Sequence, residues 1–189
     1  MTIAERLKSE TRDSHERTES LMFSSEIMNG SLTLSDYKLL IQTLLDFHFS
    51  FEDNVHSLVR QVLPKSFDLG KRKKLPALQH DANILKLGAH HINYSDTSSW
   101  KAVGWLYVME GASLGGQVIM RKILANHAIA ETGAYRFYEG YGNQTGPYWL
   151  SFKTTIDQTV PTEKEQEVVE GAQTAFNILG RCMEGYRSK

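Results

Sequence analysis

The sequence predicts an all-α protein, and three observations carry that prediction. Apolar and small residues recur at three- and four-residue steps over long stretches, helix-opening signatures stand at the starts of those stretches, and the alternation expected of strands is nearly absent. The elements follow in order. Thr2-Ile-Ala-Glu5 reads as a capping box, in which a threonine hydroxyl and a glutamate three residues on satisfy each other's backbone donors. Behind it Ile3, Leu7, Thr11, Ser14, Thr18 and Met22 share one face, so a single first helix is expected to run through His15. A short helical turn over 24–28 is stopped by Asn29-Gly30. Thr33-Leu-Ser-Asp36 then caps a helix running toward Pro64, and its length of about 28 residues exceeds the common range for globular helices.

Residues 68–87 form the next expected helix, ended by Gly88, with the basic run Lys71-Arg72-Lys73-Lys74 as a solvated start. Ser98 or Ser99 opens a long helix to about Asn126. From Ala130 to Pro147 the chain is rich in glycine and tyrosine and reads as an irregular, ordered connection. A helix over 148–157 follows. Pro161 and a second capping box, Thr162-Glu-Lys-Glu165, are expected to open the last helix, which turns Ala172, Ala175, Phe176, Leu179 and Met183 inward. No internal repeat or low-complexity segment interrupts the pattern, so residues 1–189 are read as one domain.

Composition narrows the function. With 41% hydrophobic residues among 189, the chain can bury one sizeable core. A net charge of −1 and scattered basic residues give a nucleic-acid role no electrostatic footing. The one cysteine, Cys182, excludes an intramolecular disulfide and a cysteine-rich metal cluster, which suits a reducing compartment; it is read as a packed side chain. The amino end lacks a signal-type apolar core, and no run of about 18 apolar residues occurs. A soluble, cytoplasmic monomer with no membrane partner is expected.

Two features carry chemistry. Lys8, Arg12, His15 and Glu19 fall within an arc of roughly 60° at helical spacing. An imidazole able to ligate iron therefore shares its stripe with two cations that could pair the anionic groups of a flat cofactor. Further along, Gly111, Gly115 and Gly116 interrupt an otherwise strong helix, a liability of roughly 2–3 kcal/mol. Gly111 and Gly115 share a face, so either a flat ligand approaches the bare backbone or another helix packs closely there; the weakened ladder also permits a kink.

With these two features and the closing Thr174-Ala175-Phe176 in this order, the chain resembles a haem oxygenase of the small, soluble bacterial kind over almost its whole length. Three motifs carry the resemblance: Leu7-Lys8-x-x-Thr11-Arg12-x-x-His15-x-x-x-Glu19, Tyr107-Val-x-Glu110-Gly111-x-x-Leu114-Gly115-Gly116, and the Thr174-Ala175-Phe176 segment. The resemblance implies a single-domain helical bundle with haem b, both substrate and prosthetic group, between the first helix and a kinked, glycine-bearing distal helix. It implies His15 as the iron ligand steadied by Glu19, Lys8, Arg12 and Lys153 near the propionates, and Thr11 within the haem-binding motif. Gly111 and Gly115 would let backbone approach iron-bound oxygen, and Phe176 would stand at the pocket wall.

The implied reaction consumes O2 and electrons from an external donor protein (a ferredoxin, a flavodoxin or an NAD(P)H reductase) and yields biliverdin, carbon monoxide and ferrous iron. One departure stands out: the animal enzymes carry an aspartate directly after the first distal glycine, where this chain has Ala112. Ser113, expected among the catalytic residues, and Gln117 are candidates to hold the distal water in its place. Ala112 keeps open a non-enzymatic haem carrier or sensor on the same fold. A related fold holding two non-haem metals would need more than the partial set Glu52, Asp53 and His56, and His90-His91 read as surface histidines.

Overall fold

The computed structural model describes residues 1–188, and among these no residue lies in a strand. The helices are α1 (Ile3–Glu10), α2 (Arg12–Leu21), α3 (Ser24–Asn29), α4 (Leu34–Val59), α5 (Leu75–Leu85), α6 (Ser99–Ala125), α7 (His127–Ala130), α8 (Arg136–Glu139), α9 (Thr145–Thr159) and α10 (Glu165–Arg187). Both capping boxes at the starts of α1 and α4 form, each with its threonine side chain accepting from the N3 backbone. Ser98 caps α6 by accepting from the Lys101 backbone.

The bundle is organised on α6 and α10, which pack along each other and against α4. The closest approach is built on two glycines. A Cβ on Gly104 would sit 2.0 Å from the Val168 carbonyl oxygen, and one on Gly171 would sit 2.1 Å from the Lys101 carbonyl oxygen. Only bare backbone permits that separation. Trp105, next to this contact, stacks on Phe47 at 5.6 Å and lies 4.7 Å from Phe51, which ties α6 to α4 through the aromatic core.

Five expectations are corrected. The first helix is divided at Thr11, whose backbone leaves helical geometry (φ −104°, ψ 2°) while its hydroxyl donates to the Leu7 carbonyl at 2.6 Å. A side chain that bonds back into the preceding turn competes with the ladder there. The basic run is not a solvated helix start: Gly70–Arg72 is a 3-10 turn, and Arg72 and Lys74 are buried against Glu110 of α6. The helix after it begins only at Leu75 and ends at Lys86, in the left-handed region at φ 59°, rather than at Gly88. Lys86 and Leu87 close it by donating backbone N–H groups to Asn83 and Ala82.

The capping box at Thr162 does not form. Thr162–Lys164 is a 3-10 turn, α10 starts without a side-chain cap, and Glu165 instead pairs with Arg6 at 2.9 Å. Finally, α9 starts at Thr145, earlier than Tyr148, and the connection before it contains α8 and a 3-10 turn at Gly142–Gln144. His90 and His91 lie outside helices, and His90 donates its backbone N–H to Asp46 at 2.8 Å.

Candidate functional site

Helices α2 and α6 both pack on α10 but scarcely on each other, which leaves a cleft between them with α10 as its floor. Both run in the same sense as α10. Along α2 the contacts pass from Phe176 with Thr18 to Gly180 with Leu21; along α6 they pass from Glu167 with Ser98 to Gly171 with Lys101. The Tyr107 and Thr11 hydroxyls approach each other from the two walls. Burial pushes the Tyr107 phenol up, so it stays a neutral hydroxyl. One turn on from Thr11 stands His15 on α2, and one turn on from Tyr107 stands Gly111 on α6.

His15 is half exposed (52%), and its Nδ1 lies 3.5 Å from Glu19 Oε2. Its ring meets the Phe176 ring edge-on at 5.6 Å, which fixes the imidazole against the floor. Thr18, one turn on from Ser14, donates to the Ser14 carbonyl at 2.8 Å and holds α2 onto α10 through the Phe176 carbonyl at 3.4 Å. Two further histidines, His48 and His56, are 1% and 2% exposed in the core. His48 is engaged with Glu52 at 2.8 Å, and Glu52 also accepts from the backbones of Lys74 and Leu75. Asp53 points to solvent and pairs with Lys73. Among the described residues no group of three or more His, Cys, Asp and Glu is placed to hold a metal ion.

On the opposite wall a Cβ at Gly111 or Gly115 would meet nothing within 4 Å. Helical spacing puts Leu114 and Val118 on the adjoining stripe, and both are exposed large apolar residues. Bare backbone flanked by exposed apolar side chains suits a flat, hydrophobic ligand. Tyr107 extends the wall through Trp149 at 5.5 Å to α9, which carries Lys153 one turn on from Trp149.

Asp157 of α9 accepts the Ala4 backbone N–H at 2.9 Å, and Lys8 and Lys153 each lie one helical turn from that junction. Lys8 is exposed, Lys153 half-buried, and Arg12 is exposed with only loose contacts to Asp13 and Glu16 at 3.5 and 3.9 Å. Ser113 belongs elsewhere. It stands about 200° around α6 from both glycines, it is 7% exposed, and it packs against Gly140 behind the helix. Gln117 is likewise turned to the back, where its Nε2 donates to the Gly142 carbonyl at 2.7 Å.

The sequence reading missed the buried cluster behind this wall. Glu110 accepts from Arg72 at 2.5 Å, from Lys74 at 3.1 Å and from the Tyr141 hydroxyl at 2.7 Å, and Lys74 also donates to that hydroxyl. The Arg72 guanidinium stacks over Phe67 at 4.0 Å. Burial holds the Lys74 ammonium below its ordinary range, against the pull of Glu110. A carboxylate in the apolar run Tyr107-Val-Met-Glu110, with four cations elsewhere in one block, was the available signal.

A family model described as Heme oxygenase matches residues 1–185. Haem oxygenase PigA of Pseudomonas aeruginosa is 27% identical over 188 residues, covering 96% of this chain and 91% of that protein. The structure is similar to that of the Neisseria meningitidis haem oxygenase, with a TM-score of 0.80 at 22% identity over 98% of this chain and 92% of that one. It is also similar to haem oxygenase-1 of the cyanobacterium Synechocystis in complex with haem, with a TM-score of 0.78 at 15% identity over 100% and 93% of the two chains.

Proposed function

Because the chain belongs to the haem oxygenase family and is therefore a haem-degrading enzyme, we propose that it opens the ring of haem b in the cleft between α2 and α6, with His15 as iron ligand. The observation that carries this reading is the juxtaposition across one cleft of a half-exposed imidazole on α2 and a bare glycine face on α6. The residues present fit the group: apolar Leu114, Val118 and Phe176 for the ring, and Lys8, Arg12 and Lys153 for two propionates. Among the described residues, no helix is long and apolar enough to cross a membrane.

When bound, haem supplies both the iron at which O2 is reduced and the carbon skeleton that is cleaved to biliverdin, carbon monoxide and ferrous iron. The chain's own residues do the rest. Glu19 stands 3.5 Å from His15 Nδ1 and steadies the imidazole, which leaves Nε2 as the nitrogen for the iron. Phe176 fixes the ring's tilt. Gly111 and Gly115 bring backbone close to the reacting face and place no side chain there to block O2. With Ala112 in place of a carboxylate, and Ser113 and Gln117 both turned to the back of α6, water on that face is ordered by backbone groups of the glycine stretch. The three cations set the in-plane orientation of haem through its propionates.

Electrons come from a donor protein, a ferredoxin, flavodoxin or NAD(P)H reductase, and the enzyme acts as a cytoplasmic monomer in a bacterium, with residues 1–189 as one domain. The test is to add haemin to the purified protein, then a reducing system under air, and to follow the visible spectrum. Replacement of the haem bands by those of biliverdin supports the enzyme; a stable haem complex under these conditions supports a carrier.

A further inference from the structure

The charges buried around Glu110 take no part in the steps above, yet they grip the residue directly before Gly111. Glu110 is 2% exposed and receives Arg72, Lys74 and the Tyr141 hydroxyl. At the far end of the glycine stretch, Gln117 donates to the Gly142 carbonyl at 2.7 Å. Between the two, a Cβ on Gly140 would lie 3.8 Å from Ser113 Cβ, and one on Gly116 would lie 3.4 Å from the Tyr138 carbonyl oxygen. Residues 138–142 therefore follow the back of α6 and contact it before, within and after its glycines.

This segment is itself firmly held. Asp81, fully buried, accepts the backbone N–H groups of Arg136 and Phe137 at 2.9 and 2.8 Å, and the Tyr37 hydroxyl donates to the Ala134 carbonyl at 2.5 Å. Tyr141 stacks on Tyr148 with ring centres 4.3 Å apart, and Thr145 donates to the Gly142 carbonyl at 2.9 Å. Three helix glycines weaken the ladder by roughly 2–3 kcal/mol. The front of the stretch must stay bare, so side chains cannot restore that loss there. Support from behind is the remaining place for it.

Resting on the reading that haem lies against Gly111 and Gly115, we propose that residues 138–142 are a splint for the glycine stretch of α6, and that Glu110 is the positioning residue that fixes Gly111 against the haem. The splint holds the weak helix at one height above the cleft, and Glu110 passes the rigidity of the Arg72, Lys74 and Tyr141 cluster to the adjoining backbone.

The experiment uses Tyr141→Phe, Gln117→Ala and Glu110→Gln, with Gln173→Ala as a control that removes a side-chain to backbone hydrogen bond outside the splint. Hydrogen exchange of the haem-free proteins is read amide by amide. Exchange at 111–117 is expected to quicken by about tenfold or more in the splint variants while amides of α4 and α10 keep their rates, and to stay unchanged in the control. On adding haemin, the pH at which the visible spectrum of the ferric complex passes from its acid to its alkaline form is expected to shift in the same variants. Tyr141→Phe removes one hydroxyl at a half-buried position, so the test survives if Glu110→Gln fails to fold. Unchanged exchange at 111–117, or a rise spread evenly over all helices, overturns the splint. Quickened local exchange with an unmoved spectral transition overturns the positioning role. The exchange measurement needs no haem, so its outcome is separate from whether His15 and the glycine face form the haem site.

Discussion

Two pairs of glycines lie on the bundle's central helices, and they are bare for opposite reasons. Gly104 and Gly171 let α6 and α10 touch backbone to backbone, since an added Cβ at either would lie about 2 Å from a carbonyl oxygen of the other helix. Gly111 and Gly115 continue the Gly104 face of α6 two and three turns on, yet an added Cβ there would meet nothing within 4 Å. One helix face thus serves first as a packing surface and then as one wall of a cleft. A helix-interior glycine shows that a side chain is excluded; what excludes it is decided by the neighbouring helix.

The comparison predicts opposite outcomes for similar changes. The largest effect is expected at the packing pair: Gly104→Ala and Gly171→Ala force backbone apart and should destabilise the fold by about 3 kcal/mol or more, read by denaturant unfolding. Equal stability to the parent would mean the helices can separate cheaply. At the cleft pair, Gly115→Leu should keep or raise stability, with a gain of up to about 1 kcal/mol from propensity, while haem degradation is lost. Undiminished bilin production by that variant would place the glycines away from the haem.

A third expectation concerns the rim of the cleft. Neutralising Lys8, Arg12 and Lys153 together should change the mixture of biliverdin isomers, while haem affinity falls only modestly, because each exposed pair contributes about 0.2–1 kcal/mol. A single unaltered isomer with unaltered affinity would place the propionates elsewhere.

The smallest effect sharpens the contrast between the exposed and the buried histidines. Burial holds the His56 imidazole below its ordinary value of 6.5, so the unfolded chain binds the proton more readily than the folded one. Stability is therefore lost as pH falls below 6.5. Glu52, whose carboxyl burial would raise, is held below 4.5 by His48 and by the backbones of Lys74 and Leu75, and it removes further stability below that pH. Unfolding free energies from pH 8 to 4 should fall in that order, and His56→Leu should flatten the first part. A profile unchanged by that substitution would contradict the assignment.

The parts of this account legible in the sequence are those with local causes. Thr2 with Glu5 and Thr33 with Asp36 announce helix starts because both partners sit within one turn. The stripe of Lys8, Arg12, His15 and Glu19 and the weakness of 111–116 are likewise properties of single helices. What failed depended on partners far along the chain. Lys71-Arg72-Lys73-Lys74 looks solvated until Glu110 is placed beside two of its members, 38 and 36 residues on. Glu165 has the spacing of a capping partner but is taken by Arg6, 159 residues away. Ser113 sits two residues from each glycine, and only the angle around α6 and the position of Gly140 show that it faces the other way.

On the proposed reading the half-exposed His15, and not a buried histidine, meets the iron across the cleft from Gly111 and Gly115. The most direct measurement is the visible and electron paramagnetic resonance spectrum of the haem complexes of the parent, His15→Ala and His48→Ala. His15→Ala alone is expected to lose the histidine-ligated signature and to regain it when imidazole is added to the solution. Histidine ligation that persists in His15→Ala and disappears in His48→Ala would contradict it.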